Sequence, residues 1–120
     1  MAKNMEMAYL LDFYGDMLTD KQRVVMDLYY NQDLSLAEIA QDEGITRQGV
    51  RDSIKRAETQ LLDMEDRLGL AKRFQTVQDG LSIIRKAADE IRSCNDRLMR
   101  SKEITACLEQ IEQQTAILAE

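Results

Sequence analysis

The chain has 120 residues, 44% of them hydrophobic, which is enough to bury one modest core. It contains no proline and only five glycines, which favours an all-α protein because those residues punctuate β-rich and irregular folds. It also has no histidine, no glycine-rich phosphate loop, and two cysteines too far apart for zinc-ligand spacing. We therefore predict an all-α protein that is not an enzyme and needs no cofactor or metal.

The charge of the chain argues against indiscriminate binding to nucleic acid. Its formal net charge is −6 at pH 7, whereas a DNA-binding domain is usually positive. Two groups of positive charge stand out, one at residues 47–56 and a second at Lys72, Arg73, Arg85 and Lys86. Local positive charge of this kind suits either a nucleic acid or a protein partner.

The sequence also predicts where the protein resides. No apolar run approaches the roughly 20 residues needed to span a bilayer, and the N-terminus lacks the basic and apolar blocks of a secretion signal. Cys94 and Cys107 are expected to be reduced thiols rather than a disulfide. These features predict a cytoplasmic protein without membrane insertion.

Two helices are predicted in the first third of the chain. The first spans residues 5–17, and the second begins where Thr19 and Gln22 can form a capping box. The positions expected to be buried are Tyr9, Leu10, Phe13 and Met17 on the first helix, and Val24, Val25, Leu28 and Tyr29 on the second. An aromatic cluster is attributed to core packing rather than to base stacking: Phe13, Tyr14, Tyr29 and Tyr30.

Residues 35–57 have the pattern of a helix-turn-helix. Ser35 and Glu38 form a capping box at the start of its first helix. Gly44 supplies the positive φ that lets the chain leave this helix, and Thr46 is a natural N-cap for the next one. A helical hairpin with no role in nucleic-acid binding is the alternative interpretation.

The second helix of this motif has an apolar stripe and an outer side. The stripe consists of Val50, Ile54, Ala57, Leu61, Met64 and Leu68. The candidate nucleic-acid-binding residues are Arg47, Gln48, Arg51, Lys55 and Arg56. Arginine and lysine suit phosphates or guanine edges, and glutamine suits adenine. Asp52 lies in the middle of the same side and repels phosphate, so an ordinary solvated helix face is the alternative.

After residue 70 the residues expected to be buried recur at alternating intervals of four and three positions, which is a seven-residue repeat. One seam is Val77, Leu81, Ile84, Ala88, Ile91, Asn95 and Leu98, and a second is Ile104, Leu108, Ile111, Thr115 and Leu118. Between them Ser101 can cap a new helix. The seams fold against each other, pack on the N-terminal helices or pair with a second chain, and Asn95 favours a dimer in register. We predict a helix-turn-helix domain at 1–70 and a helical extension at 71–120 that serves homodimerisation.

Two known families share these motifs. Glu38-Ile39-Ala40, Gly44-Ile45-Thr46-Arg47 and Val50-Arg51 resemble the promoter-reading region 4 of bacterial sigma factors. The resemblance to the small bacterial YlxM family is closer and covers roughly residues 5–75. It is carried by residues 11–14 (Leu-Asp-Phe-Tyr), 18–22 (Leu-Thr-Asp-Lys-Gln), 29–30 (Tyr-Tyr), 33–36 (Asp-Leu-Ser-Leu), 38–40 (Glu-Ile-Ala) and 45–48 (Ile-Thr-Arg-Gln).

This resemblance implies a bacterial cytosolic protein with a sigma region 4-like helix-turn-helix bundle and a C-terminal helical extension. Genes of the YlxM family lie beside those of the signal recognition particle and its receptor. The resemblance therefore implies a regulatory protein that takes part in protein targeting and binds the protein or RNA of that particle. From the sigma-factor motif, Arg47, Gln48 and Arg51 match reading positions, whereas Asp52 stands where sigma factors have a hydrogen-bond donor.

Two functions follow from these observations. In the first, the chain is an accessory factor of the signal recognition particle, which the acidic balance and Asp52 favour. In the second, it is a sequence-specific DNA-binding transcriptional regulator that docks its second motif helix in a major groove as a dimer. The helix-turn-helix pattern favours the second function, and the two are compatible.

Overall fold

A computed structural model describes residues 3–120, which form helices and short connections without a β-strand. The α-helices of this range are α1 Met5–Tyr14, α2 Asp20–Tyr30, α3 Leu36–Glu43, α4 Arg47–Leu68, α5 Leu70–Cys94 and α6 Lys102–Leu118. A 3-10 turn, Gly15–Met17, follows α1, and a π-helical turn, Asn95–Met99, follows α5. The chain divides into two compact units, one ending at Lys72 and one beginning at Arg73. The all-α class, with a helix-turn-helix bundle and a helical extension, is confirmed.

Local sequence sets the starts of α2 and α3 as predicted. The Gln22 backbone N–H donates to the Thr19 hydroxyl at 3.2 Å, and the Thr19 N–H donates to the Gln22 side chain at 3.1 Å. Ser35 and Glu38 make the same reciprocal pair, with both distances 3.1 Å. Each capping box satisfies amide protons that the first turn of a helix leaves unpaired.

The core of the first unit surrounds α4. Val50, Ile54, Ala57 and Leu61 form one row along this helix, and none of them has any exposed surface. The buried residues that cover the row come from α1, α2 and α3: Met7, Leu10, Leu11, Tyr14, Val25, Met26, Tyr29, Ile39 and Ala40. Because three helices cover it, α4 is the central helix of this unit.

The predicted burial is wrong at three positions. Met17 is 65% exposed because the chain has already left α1 for the 3-10 turn. Val24 is exposed and Met26 is fully buried, since the way α2 packs on its neighbours, and not hydropathy, decides which of two apolar residues faces inward. Leu68 is exposed at the last residue of α4.

The aromatic side chains pack within the core, as predicted. Tyr14 and Tyr29 are buried, and Phe13 and Tyr30 pack against the same cluster. The Tyr9 and Phe13 rings meet edge to face with centroids 5.1 Å apart, and the Tyr29 and Tyr30 rings do so at 5.0 Å. This geometry is the one that aromatic quadrupoles favour, and it leaves no stacked platform for bases.

The start of α5 is held by two side chains that the sequence did not indicate. The Tyr14 hydroxyl donates to Glu65 Oε1 at 2.6 Å and accepts from the Leu70 N–H at 3.1 Å. Glu65 also accepts from the N–H groups of Ala71 and Lys72, at 3.1 and 3.0 Å. The bond from Tyr14 lowers the pKa of Glu65, while burial raises the pKa of Tyr14. Glu65 thus takes the role of an N-cap for α5 from within α4.

In the second unit, α5 and α6 lie antiparallel. The Gln78 side chain, early in α5, donates to the Ala119 carbonyl at 3.1 Å, and Arg92 pairs with Glu112 at 2.8 Å. Ser101 caps α6 as predicted, its hydroxyl accepting from the Ile104 N–H at 3.2 Å. The two predicted seams therefore fold against each other, although only part of each is buried: Leu81, Ala88 and Asn95 on the first, Leu108 and Thr115 on the second.

The predicted role of Asn95 is wrong. Its amide nitrogen donates to the Ser101 carbonyl and to the Thr105 hydroxyl, both at 3.1 Å, and its oxygen accepts from the Ser101 N–H at 2.8 Å. With both amide protons in use, Asn95 has none left to pair with an asparagine of a second chain. It holds the corner where Arg100, at φ +48, turns the chain back. Leu98, predicted as part of the seam, is exposed in the same π-helical turn.

Candidate nucleic-acid interface

The turn between α3 and α4 has the conformation that the sequence predicted. Gly44 lies at φ +67, and its N–H donates to the Ala40 carbonyl. The Thr46 hydroxyl accepts from the Gly49 N–H at 2.9 Å and caps α4. A Cβ on Gly49 would lie only 3.2 Å from that hydroxyl oxygen. Glycine at this position therefore lets the cap close tightly on the first turn of α4.

The inner side of α4 fixes the direction of its outer side. Val50 and Ile54 are fully buried, and Ile39 and Ala40 of α3 are buried in the same core. A helix packed in this way cannot rotate without opening the core, whose density resists such a change. The outer face is consequently presented by a rigid scaffold, as a binding site requires.

All five predicted binding residues lie on the exposed surface of α4: Arg47, Gln48, Arg51, Lys55 and Arg56. At about 100° per residue, Gln48, Asp52 and Lys55 point almost directly away from the buried row. Arg47 and Arg51 lie on one flank of this outer face, and Arg56 lies on the other. The structure therefore brings the five residues onto one side of one helix, with Asp52 among them.

The cations of the outer face are free of ion pairs within the described part of the chain. No residue in the range 3–120 forms an ion pair with Arg47, Arg51, Lys55 or Arg56. By contrast, Arg67, farther along the same helix, pairs with Asp63 at 3.0 Å. The first turn of α4 also contains no acidic residue, so the positive end of its helix dipole is not neutralised locally. The N-terminal part of α4 therefore attracts anions.

One hydrogen bond opposes this attraction. The Gln48 side-chain nitrogen donates to Asp52 Oδ1 at 2.9 Å, across one helical turn. The pair occupies the centre of the outer face and ties together the two side chains best placed to reach a base edge. The four-residue spacing of the pair, which brings helix side chains into contact, is the signal in the sequence that predicts this bond.

The described residues offer little to other kinds of site. Between residues 3 and 120, no group of three or more cysteine, aspartate or glutamate side chains could hold a metal ion. Cys94 and Cys107 are free and exposed. No helix in the same range is both long enough and apolar enough to cross a membrane.

Comparison with known proteins places the chain in a family. The family model for YlxM/p13-like helix-turn-helix proteins, UPF0122, matches residues 1–102. A UPF0122 protein of Thermoanaerobacter sp. (strain X514) is 45% identical over 105 residues, which cover 88% of this chain and 86% of that protein. One from Bacillus thuringiensis (strain Al Hakam) is 39% identical over 110 residues, covering 92% and 97%. The chain therefore belongs to the UPF0122 family of YlxM/p13-like helix-turn-helix proteins.

Proposed function

We propose that this protein is a regulatory factor that binds nucleic acid through the outer face of α4. The observation that supports the proposal is the set of exposed cations that form no ion pair with any residue from 3 to 120: Arg47, Arg51, Lys55 and Arg56. In a chain of net charge −6, this concentration of unpaired positive charge on the second helix of a helix-turn-helix sets that face apart. The same helix enters the major groove in proteins that use the motif on DNA.

The arrangement favours phosphate contacts over base reading. Arg47 and Arg51 flank the outer face, where they can reach the backbone phosphates on one side of a groove. Gln48 would have to leave Asp52 to make the bidentate contact with adenine that glutamine prefers. Asp52 itself repels phosphate and can accept from a cytosine amino group. The expected affinity is therefore modest and depends strongly on salt.

The proposed function includes a homodimer. Helix-turn-helix proteins on DNA commonly bind two half-sites with a two-fold arrangement, and the second unit supplies a helical segment outside the motif. We assign self-association to residues 71–120.

Participation in the signal recognition particle pathway is the second candidate function. It rests on the resemblance to the YlxM family, and the negative net charge and the position of Asp52 favour it. Both features weaken attraction to duplex DNA, whereas an RNA–protein particle offers protein surfaces and 2′-hydroxyl donors as well as phosphates. In this role the same face of α4 would contact the RNA or the protein of the particle.

The nucleic-acid proposal is tested by fluorescence anisotropy with a labelled 30-base-pair duplex and a labelled RNA stem-loop, each at several salt concentrations. We expect Arg47→Ala and Arg51→Ala each to weaken binding roughly fivefold, because a charge-assisted contact is worth about 1 kcal/mol or more. Each should also lower the salt slope by about one unit. Asp52→Asn should strengthen binding because it removes a repulsion.

Arg67→Ala is the matched control, since Arg67 is an exposed arginine of the same helix that lies beyond the proposed face and pairs with Asp63. It should leave the affinity unchanged. Equal affinity in the Arg47, Arg51 and Asp52 variants would show that this face does not bind nucleic acid. The pathway proposal is tested with the purified protein and RNA of the particle in separate titrations, and binding to neither would refute it.

A further inference from the structure

The hairpin of α5 and α6 leaves a second apolar line uncovered on each helix. The line that the two helices bury between them contains Leu81, Ala88, Leu108 and Thr115. Beside it runs a line of larger side chains that are still 47%, 48%, 38% and 58% exposed: Ile84, Ile91, Ile111 and Leu118. Members of this line are spaced seven residues apart on each helix, the spacing that packs one helix against another.

The two uncovered lines lie on the same side of the hairpin. On each helix, every residue of the uncovered line follows a residue of the buried line by three positions. The uncovered line is therefore rotated about the helix axis by about 60° from the buried line, in the same direction on both helices when each is viewed from its N-terminus. Because α5 and α6 are antiparallel, equal rotations bring both lines to one side. Arg92 and Glu112 form their ion pair on the other side, turned in the opposite sense. The hairpin therefore has one apolar face and one charged face.

The apolar face contains no charged residue from Val77 to Cys94 on α5 or from Ile104 to Leu118 on α6. Its members are Val77, Gly80, Ile84, Ala87, Ile91, Cys94, Ile104, Cys107, Ile111, Gln114 and Leu118. It is about 25 Å long and roughly 20 Å wide, as expected for two adjacent helices of this length. This footprint, on the order of 500 Å² on each copy, would bury about 1,000 Å² in total, which is the lower limit for a specific interface.

A second copy of the same face is the occupant that fits these features. A face without charge is self-complementary in a two-fold dimer, because no like charges meet across the axis. Seven-residue spacing on both helices of a hairpin is also what a four-helix bundle requires, and two such hairpins complete one. A charged partner would find no charge of opposite sign on this face.

We propose that two copies of the chain pair through this apolar face of α5 and α6 to form a four-helix bundle. This deepens the proposed homodimer by naming its interface, which excludes Leu81, Ala88 and Asn95 because those residues are already used within one chain. The contact contains no ion pair, so raising the salt concentration does not weaken it. Salt should therefore weaken nucleic-acid binding but not self-association, and the two proposals can fail independently.

The test is sedimentation velocity of the full chain at 20 μM, in 0.1 and 1 M NaCl. We expect twice the monomer mass at both salt concentrations. The double variant Ile84→Lys and Leu118→Lys should sediment as a monomer, with an unchanged far-UV circular dichroism spectrum because both side chains are already about half exposed. Ile91→Glu alone should raise the dissociation constant at least tenfold and guards against misfolding of the double variant.

A neighbouring residue provides the matched control. Ile117 is 59% exposed, lies next to Leu118 and points about 100° away from it around the helix, on the far side from the buried line. The variant Ile117→Lys should therefore remain a dimer. A monomeric unmodified protein would overturn the proposal, and so would a dimer that survives the changes at both Ile84/Leu118 and Ile91. Dissociation of the Ile117 variant would contradict the assignment of the face.

Discussion

The two units of this protein use similar helices but cover them differently. In the first unit, α4 is surrounded by three helices, and four successive core positions on it have no exposed surface. In the second unit, α5 has one neighbour, and its apolar positions alternate between buried Leu81 and Ala88 and half-exposed Ile84 and Ile91. Apolar spacing therefore shows which side of a helix is to be covered, while the number of neighbouring helices decides how much of that side is covered.

The units also differ in how their turns are held. The first unit uses capped helix starts and glycines at positive φ, which are local devices that the sequence displays. The second unit turns at Arg100 and depends on the three hydrogen bonds of one buried amide, Asn95. Loss of a single side chain should therefore affect the two units in different ways.

The largest effect is expected in the fully covered core. Ile54→Ala should lower the free energy of unfolding by about 3 kcal/mol, because it removes buried methyl groups and leaves a cavity. Urea unfolding of the variant measures this loss. Ile83→Ala, at an exposed isoleucine of α5, is the control and should change the value by less than about 0.5 kcal/mol. Equal losses at the two positions would contradict the difference in burial between the units.

A somewhat smaller effect is expected at the corner of the second unit. Asn95→Ala leaves the Ser101 N–H and the Thr105 hydroxyl without the partner they have now, which should cost about 2 kcal/mol. Hydrogen exchange should increase in α6 and remain unchanged in α4. The exposed Asn31, whose side chain donates to Asp27, provides the control Asn31→Ala. Faster exchange throughout α4 would show that the two units do not unfold separately.

The joint between α4 and α5 should contribute less, in a pH-dependent way. Glu65→Gln should cost about 1.5 kcal/mol at pH 7, because the acceptor of the Ala71 and Lys72 N–H groups loses its charge and one of its two oxygens. The folded protein lowers the pKa of Glu65 below its ordinary value of 4.5. The stabilisation is therefore fully present above about pH 5 and disappears as the pH falls through the folded-state pKa.

Thermal melts of the parent and Glu65→Gln at pH 7 and pH 3 measure this dependence. The difference in melting temperature should shrink at the lower pH. Asp66→Asn, at the exposed neighbouring acid, should give a small difference that does not follow this pattern. A constant difference for Glu65→Gln would mean that its charge does not hold the start of α5.

The smallest effect contrasts two glycines. Gly44→Ala should destabilise the protein by about 1 kcal/mol, because its φ of +67° strains any residue with a Cβ even though nothing lies within 4 Å. Gly80→Ala, in the interior of α5 with equally open space, should stabilise it by about 0.5 kcal/mol. Chemical unfolding of both variants measures the two signs. A stabilising change at Gly44 would be inconsistent with a left-handed cap.

Helix caps and turns could be predicted from the sequence because they depend on residues close together in the chain. Capping boxes at Thr19 and Ser35, the positive φ of Gly44 and the cap at Thr46 involve contacts within three or four positions. The exposure of Arg47 and Arg51 was equally predictable, because a strong apolar stripe on α4 leaves only one side for charged residues. The bond between Gln48 and Asp52 has the same local origin.

Burial at individual positions and hydrogen bonds between distant residues depend on the tertiary structure and could not be predicted from local patterns. Val24 and Met26 are both apolar, and the packing of α2 against its neighbours buries one and exposes the other. Glu65 and Tyr14 lie 51 positions apart in the chain, and no local pattern relates them to the start of α5. Asn95 has the spacing of an interchain contact, but its side chain forms hydrogen bonds with the Ser101 backbone in the turn before α6. The spacing of residues along the chain determines the side of a helix on which each side chain lies. The packing of the helices determines which residues that side chain contacts.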